Sequence, residues 1–326
     1  MLKYRLIFGL LFSILIVGMI YLDGRLSANW PRGDWSAPPG MVVALGSIAV
    51  VIVALREMQR LLARQNVEIS LRICSVAAIL CMLWPWLEQV SVQVRDTHEK
   101  LLELSATAPA VAATDLRAIE NSLWYALSHW FHTVKPHYLV PTILTASLIG
   151  AFVMHSRHRK IDGAMASAGG TLLAVVYLGV LPGFFLPICM THSAWMLLAI
   201  ICIVKSADIG AYATGHAIGR HKLIPWLSPG KTVEGFFGGL IFSGIVGAAI
   251  TYFCHTFAWQ QGLVAGVLLG AVGQVGDLLE SLLKRDAGVK DSGHVPGFGG
   301  VLDLLDSPLL AAPVAYWILK LVSKSA

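Results

Sequence analysis

Apolar residues along this chain come in long blocks, not in the strict alternation of strands or the heptads of a coiled coil. Such blocks lie near 6–22, 41–55, 73–87, 139–154, 167–187, 194–212, 235–253, 262–280 and 308–322. A helix that crosses a bilayer needs about 20 mostly apolar residues. Without water, its backbone amides must bond within their own segment. The pattern therefore predicts an all-α, polytopic integral membrane protein with about nine transmembrane helices. The first block follows Lys3 and Arg5, as a signal peptide would. It runs into Tyr21-Leu22-Asp23-Gly24-Arg25 with no small-residue cleavage site, which predicts a retained helix that also targets the chain to the membrane.

Composition narrows the class. Of 326 residues, 56% are hydrophobic and 13% charged, where soluble domains carry about 45–50% and about 25%. The mean hydropathy is +0.70. A disordered chain, a nucleic-acid-binding module and an ordinary cytosolic enzyme are excluded, and no nucleic-acid partner is expected. Cys74, Cys81, Cys189, Cys202 and Cys254 form no CxxC pair and sit in or beside apolar blocks, so all five are expected as buried packing thiols.

The net charge of +5 follows the loops. Bases gather at Lys3 and Arg5, at Arg56, Arg60, Arg64 and Arg72 in loop 56–72, at Arg157, Arg159 and Lys160 in loop 155–163, and at Arg220, Lys222 and Lys231 in loop 213–233. Lys and Arg bias sets orientation, and nine spans put all four groups on the cytoplasmic face of the cell (inner) membrane. Basic loops beside anionic lipid gain about 1 kcal/mol per residue. Segment 88–138 then lies outside, with six acids against four bases and a small-residue break at Ser105–Thr114; short surface helices are expected there. The chain divides into residues 1–138, about three spans plus that external segment, and residues 139–326, a transmembrane catalytic region.

The second region is where polar residues interrupt the pattern. An acid at the centre of a span costs about 2.5–3.5 kcal/mol on insertion scales, so charged groups at membrane depth are functional candidates. Asp208, Asp277 and Glu280 stand at the inner ends of predicted spans. Around them are three clusters: Ser206–Tyr212 with Gly215 and Gly219; Ser228-Pro229-Gly230-Lys231-Thr232-Val233-Glu234-Gly235; and the dense stretch from Gly273 to Ser307. Lys231, Lys284, Arg285 and Lys290 supply cations for phosphates. The glycines allow backbone N–H groups to approach phosphate oxygens. Asp277, Asp303 and Asp306 are hard oxygen donors suited to Mg²⁺, which takes one or two carboxylates plus substrate phosphates. At helical spacing Asp303 and Asp306 share a face, as do Asp277 with Ser281 and Glu280 with Lys284. Acids, bases and glycines together point to metal-assisted phosphoryl or nucleotidyl transfer at a membrane surface.

The third cluster resembles the signature of the phosphatidate cytidylyltransferases, or CDP-diacylglycerol synthases. The matching residues are Ser281, Lys284, Arg285, Lys290, Asp291, Ser292, Gly293, Pro296, Gly297, Gly299, Gly300, Asp303 and Asp306, with a lead-in at Gly273, Gln274, Gly276 and Asp277. The second cluster is similar to the family's Ser-Pro-Lys-Lys-Thr-Trp-Glu-Gly, and the first to its Asp-x-x-Ala-Tyr at Asp208, Ala211 and Tyr212. The motifs occupy 206–307, about a third of the chain. Departures stand at Phe298 (usually His), Leu304 (usually Arg), Gly230 (usually Lys) and Val233 (usually Trp), and the link from Gly293 to Pro296 is one residue short.

The resemblance implies transfer of the cytidylyl group of CTP to phosphatidate for phospholipid biosynthesis, with pyrophosphate released. It implies Asp277, Asp303 and Asp306 as ligands of Mg²⁺ and a second cation. Catalysis would rest on these acids and Lys284; Lys231, Arg285, Lys290, Asp291, Asp208, Ser228, Ser281 and Ser292 would bind substrates; membrane lipids would surround a homodimer. Two other readings stay open. One is a related CTP-using enzyme, such as a polyprenol or phytol kinase or an ether-lipid cytidylyltransferase. The other is a degenerate homologue acting as a scaffold. A transporter fits less well, because the charges gather on one face of the membrane and not at its midplane.

Overall fold

The computed structural model describes residues 2–30, 37–107, 109–133, 138–157, 161–293 and 299–325. Helices account for nearly all of them: α1 (Leu2–Ser27), α2 (Met41–Arg64), α3 (Leu71–Thr107), α4 (Pro109–Glu120), α5 (Leu123–Thr133), α6 (Leu139–Arg157), α7 (Ala164–Thr191), α8 (Ala194–Ile218), α9 (Val233–Cys254), α10 (Trp259–Asp286) and α11 (Val301–Ser325). Eight, α2, α3 and α6 to α11, are long and apolar enough to cross a membrane. They correspond one to one with the second to ninth expected spans, and the first expected span falls within α1. Large apolar side chains such as Ile209, Phe237, Ile241, Ile245 and Leu268 point outward, which a lipid surround accommodates and water would not.

Several boundaries differ from expectation. The loop expected over 56–72 begins only after Arg64, because α2 runs on for two more turns. Arg56, Arg60 and Arg64 follow one another at intervals of four on its exposed side, while Leu55, Glu57, Met58 and Leu61 are buried. Segment 88–138 is not made of short helices alone. Its first part continues α3 unbroken to Thr107, and α4 starts at Pro109, a residue that tolerates a first helical turn and resists a helix interior. Cys74, Cys81 and Cys189 are buried as expected, but Cys202 and Cys254 are exposed on the bundle's outer surface, where a small apolar thiol suits lipid.

Two styles of packing build the bundle. Around α2, α3 and α7, large side chains interlock: Leu55, Met58, Met82, Leu178 and Leu186 are almost wholly enclosed. The α2 N-terminus is closed by Asp23, whose carboxylate accepts from Gly40 N (2.8 Å) and Val42 N (3.0 Å). In α7, the turn Val176–Val180 is π-helical. Pro182 follows it and lacks the N–H an α-helix would direct to Leu178. In α8 to α11 small residues face each other. A Cβ added at Gly266 would sit 2.3 Å from the Ser243 carbonyl oxygen, and one at Gly276 would sit 2.5 Å from the Asp306 carbonyl oxygen. Glycine thus allows backbones to come together, as membrane helix pairs require when lipid offers no hydrophobic drive.

Between α8 and α9 the chain forms an antiparallel hairpin, β1 (Lys222–Ile224) and β2 (Ser228–Thr232). The second sequence cluster is this strand plus the start of α9. Thr232 caps α9, its hydroxyl accepting from Gly235 N at 3.1 Å. Glu234 accepts from the backbone N–H groups of Arg220 (3.1 Å) and His221 (3.2 Å) and so ties the hairpin to α9.

Candidate active site

Three helices bring their polar residues to one place. From α10 come Asp277, Glu280 and Lys284, one turn apart in sequence; from α11 come Asp303 and Asp306; from α8 come Lys205 and Asp208. One carboxylate oxygen from each of Asp277, Glu280 and Asp306 lies within 4.8 Å of the others. Gly276 makes this possible, because only without a Cβ does the α11 backbone at Asp306 come this close to α10.

The acids are held by three ammonium groups. Lys231, at the end of β2, is 2.8 Å from Asp277. Lys284 reaches Glu280 one turn below it and Asp303 at 2.6 Å. Lys205 lies 3.0 Å from Asp306 and 3.3 Å from Asp208. Ser281 extends its hydroxyl to Asp277 at 3.5 Å, the i,i+4 relation expected on this helix.

The chemistry of the site fits a divalent cation. Glu280 is 1% exposed, and both its oxygens are sealed from solvent without a hydrogen bond of normal geometry. The hydroxyl of Tyr177, from the π-helical turn of α7, is likewise buried without a partner, and it lies within electrostatic range of Glu280, Asp306 and Asp277. Three hard oxygen donors, of which Glu280 has no hydrogen bond of normal geometry, form the kind of donor set that Mg²⁺ takes up.

This group differs from the expected one by one residue. Asp303, expected as a metal ligand with Asp277 and Asp306, lies outside this group of three and is joined to it through Lys284. It accepts from Lys284, from the backbone N–H of Gly300 (2.6 Å) and from that of Ser292 (3.1 Å). The bond back to Gly300, just before α11, is the reach-back half of a capping box. Glu280, one turn from Asp277 and Lys284, completes the group of three carboxylates.

Ser292 sits 3.1 Å from both Asp303 and Glu57. Glu57 was not singled out from the sequence. It comes from α2, is 5% exposed, and accepts from the first backbone N–H groups of α11, Val301 (3.0 Å) and Leu302 (2.9 Å). A carboxylate from the first third of the chain thus caps the helix that carries Asp303 and Asp306.

Beside the acids opens a cavity of about 530 Å³. Asp208, Ser228, Lys231, Gln274 and Asp277 line it together with Tyr212 and His216. The cavity therefore receives four of the expected site residues. Arg285 turns away, donating to the carbonyls of Leu227 (3.5 Å) and Val289 (3.2 Å), and so braces the hairpin against the turn after α10. Lys290 and Asp291 are exposed, and Phe298 lies outside the described residues. Lys205, Glu57 and Tyr177 are the residues that sequence reasoning missed. Only Lys205 carried a signal, as a lysine in the middle of an apolar block.

Residues 35–322 match the cytidylyltransferase family. Over 188 residues, 57% of this chain and 69% of the relative, the sequence is 44% identical to a phosphatidate cytidylyltransferase of Staphylococcus aureus (strain COL). Over 183 residues, 51% and 59% of the two chains, it is 39% identical to a phosphatidate cytidylyltransferase of Chlamydia muridarum. It is also 38% identical to the uncharacterized protein YnbB of Escherichia coli K12 over 146 residues, 40% of this chain and 49% of that one. The chain spans about half to two thirds of the length of these curated relatives.

Proposed function

Because the chain belongs to the cytidylyltransferase family, we propose that it transfers the cytidylyl group of CTP to phosphatidate, giving CDP-diacylglycerol and pyrophosphate. The observation that carries the reading is the union of the Asp277, Glu280 and Asp306 carboxylates with Lys231 and Lys284, of which Asp277 and Lys231 line a cavity of about 530 Å³. Relatives named phosphatidate cytidylyltransferase support it.

The chemistry asks little of a base. The attacking group is a phosphate oxygen that is already anionic at neutral pH. The obstacle is the approach of two anions, and fixed cations remove it by neutralisation and in-line placement. Lys231 reaches into the cavity and is placed to meet a nucleotide phosphate in exchange for Asp277. Lys284 stands at the other end of the acid group, where the lipid phosphate would arrive. Ser228 and Ser281 offer hydroxyl donors, and exposed Lys290 meets the incoming charge. A Mg²⁺ ion held by Asp277, Glu280 and Asp306 would offset phosphate charge.

We place the site on the cytoplasmic side, the face of Arg56, Arg60 and Arg64, where CTP is dissolved and the inner leaflet supplies the lipid. The test is incubation of the purified protein with phosphatidate, labelled CTP and Mg²⁺, with Asp277→Asn as the blank. The expected products are labelled lipid and pyrophosphate, with the rate in the variant lower by about 1,000-fold. Release of CDP with a phosphorylated lipid alcohol would assign a kinase instead. No product from any lipid acceptor, with the fold intact, would leave a scaffold.

A further inference from the structure

Lys205 does not border the cavity, whose described lining takes its lysines from Lys222 and Lys231. It stands near the middle of α8, at a depth where a lysine costs about 2.5–3.5 kcal/mol to insert. Three oxygen acceptors surround its Nζ: Asp306 at 3.0 Å, Asp208 at 3.3 Å and the Ser307 hydroxyl at 3.5 Å. Ser307 closes the ring, lying 2.9 Å from Asp306 and 3.4 Å from Asp208. An ammonium group has three donors, and here each has an acceptor.

Asp306 belongs to two groups at once. Toward α10 it joins Asp277 and Glu280; toward α8 it shares Lys205 with Asp208. Two carboxylates and a hydroxyl around a single point form the kind of oxygen cage a metal ion occupies. In this chain a tethered ammonium group occupies it.

The charges close on the same conclusion. Asp208, Asp277, Glu280, Asp303 and Asp306 face Lys205, Lys231 and Lys284. Within these ion pairs Lys205 supplies the positive charge that faces Asp208 and Asp306.

We propose that Lys205 is a built-in cation that takes the place of a second metal ion, so that the site binds a single divalent cation. The inference rests on the metal-assisted reading given above. It makes this centre a one-metal site by virtue of a residue on α8.

Counting bound Mn²⁺ by the loss of its free electron-paramagnetic-resonance signal tests this on the purified full-length protein. The wild-type chain is expected to bind one Mn²⁺. Lys205→Ala, which empties the cage, is expected to bind two, and Lys205→Arg one. In turnover, Mg²⁺ dependence should change from first to second order in Lys205→Ala, with the rate at low Mg²⁺ down about 100-fold. Two ions in the wild-type chain would overturn the proposal without needing any variant. A folded Lys205→Ala chain that still binds one ion would do the same. No ion in the wild-type chain would defeat the metal reading itself, and this inference with it.

Discussion

The helices around α2, α3 and α7 and the helices α8 to α11 meet the same solvent with opposite packing. The first group fills its interior with Leu55, Met58, Met82 and Leu178. The second leaves side chains out and lets backbones touch at Gly244, Gly247, Gly262 and Gly266. Large residues fill space by dispersion, and each enclosed side chain gains from many small contacts. Glycine pairs bring helix axes close enough that side chains on neighbouring helices, such as Lys205, Asp277 and Asp306, reach one another. The contrast teaches that the polar centre depends on the glycine-packed group for its closeness. The large-residue group contributes anchorage, through Glu57 and Tyr177.

The comparison breaks most sharply at Gly266. Leucine there meets backbone on the facing helix, which cannot yield as a side chain would. Gly266→Leu is expected to abolish cytidylyl transfer and lower thermal stability, read by a fluorescence melt in detergent. Retained activity would detach the site from the glycine packing.

Glu57 sharpens the link between the two groups. Removing its carboxylate strips acceptors from Val301 N and Leu302 N, at about 1–3 kcal/mol for each buried donor left unpaired. Glu57→Ala is expected to cut turnover about 10- to 100-fold by loosening the start of α11, with Glu57→Gln recovering part of it. Equal turnover in both variants and the wild-type protein would show that α11 holds its place without α2.

The smallest effect on chemistry is expected inside the large-residue core. Leu55→Ala should destabilise by about 2–5 kcal/mol through the cavity it leaves. Turnover per folded molecule should change less than about twofold, because the residue touches no part of the centre. A large drop in turnover at unchanged stability would mean that this core transmits to the site after all.

The chain's blocks of apolar residues determined the spans, since a bilayer forces each segment to satisfy its own backbone and so prints its length into the sequence. Helical period determined the local pairs as well: Asp277 with Ser281 and Glu280 with Lys284 are neighbours on any α-helix that holds them. Motif spacing pointed to the acids and lysines of α10 and α11. What it left open was which acids meet. Capping geometry turns Asp303 back toward Gly300, and the interhelix distance at Gly276 brings Asp306 to Glu280. Lys205 was visible as an anomaly, but its partners were not, since Asp306 lies 101 residues away. Glu57 gave no sign at all. It stands among arginines at the end of a span, and its partner Ser292 is 235 residues further on. Short-range order follows from one helix and its solvent; contacts over such separations follow only from how helices pack, and packing is decided by the tertiary structure as a whole.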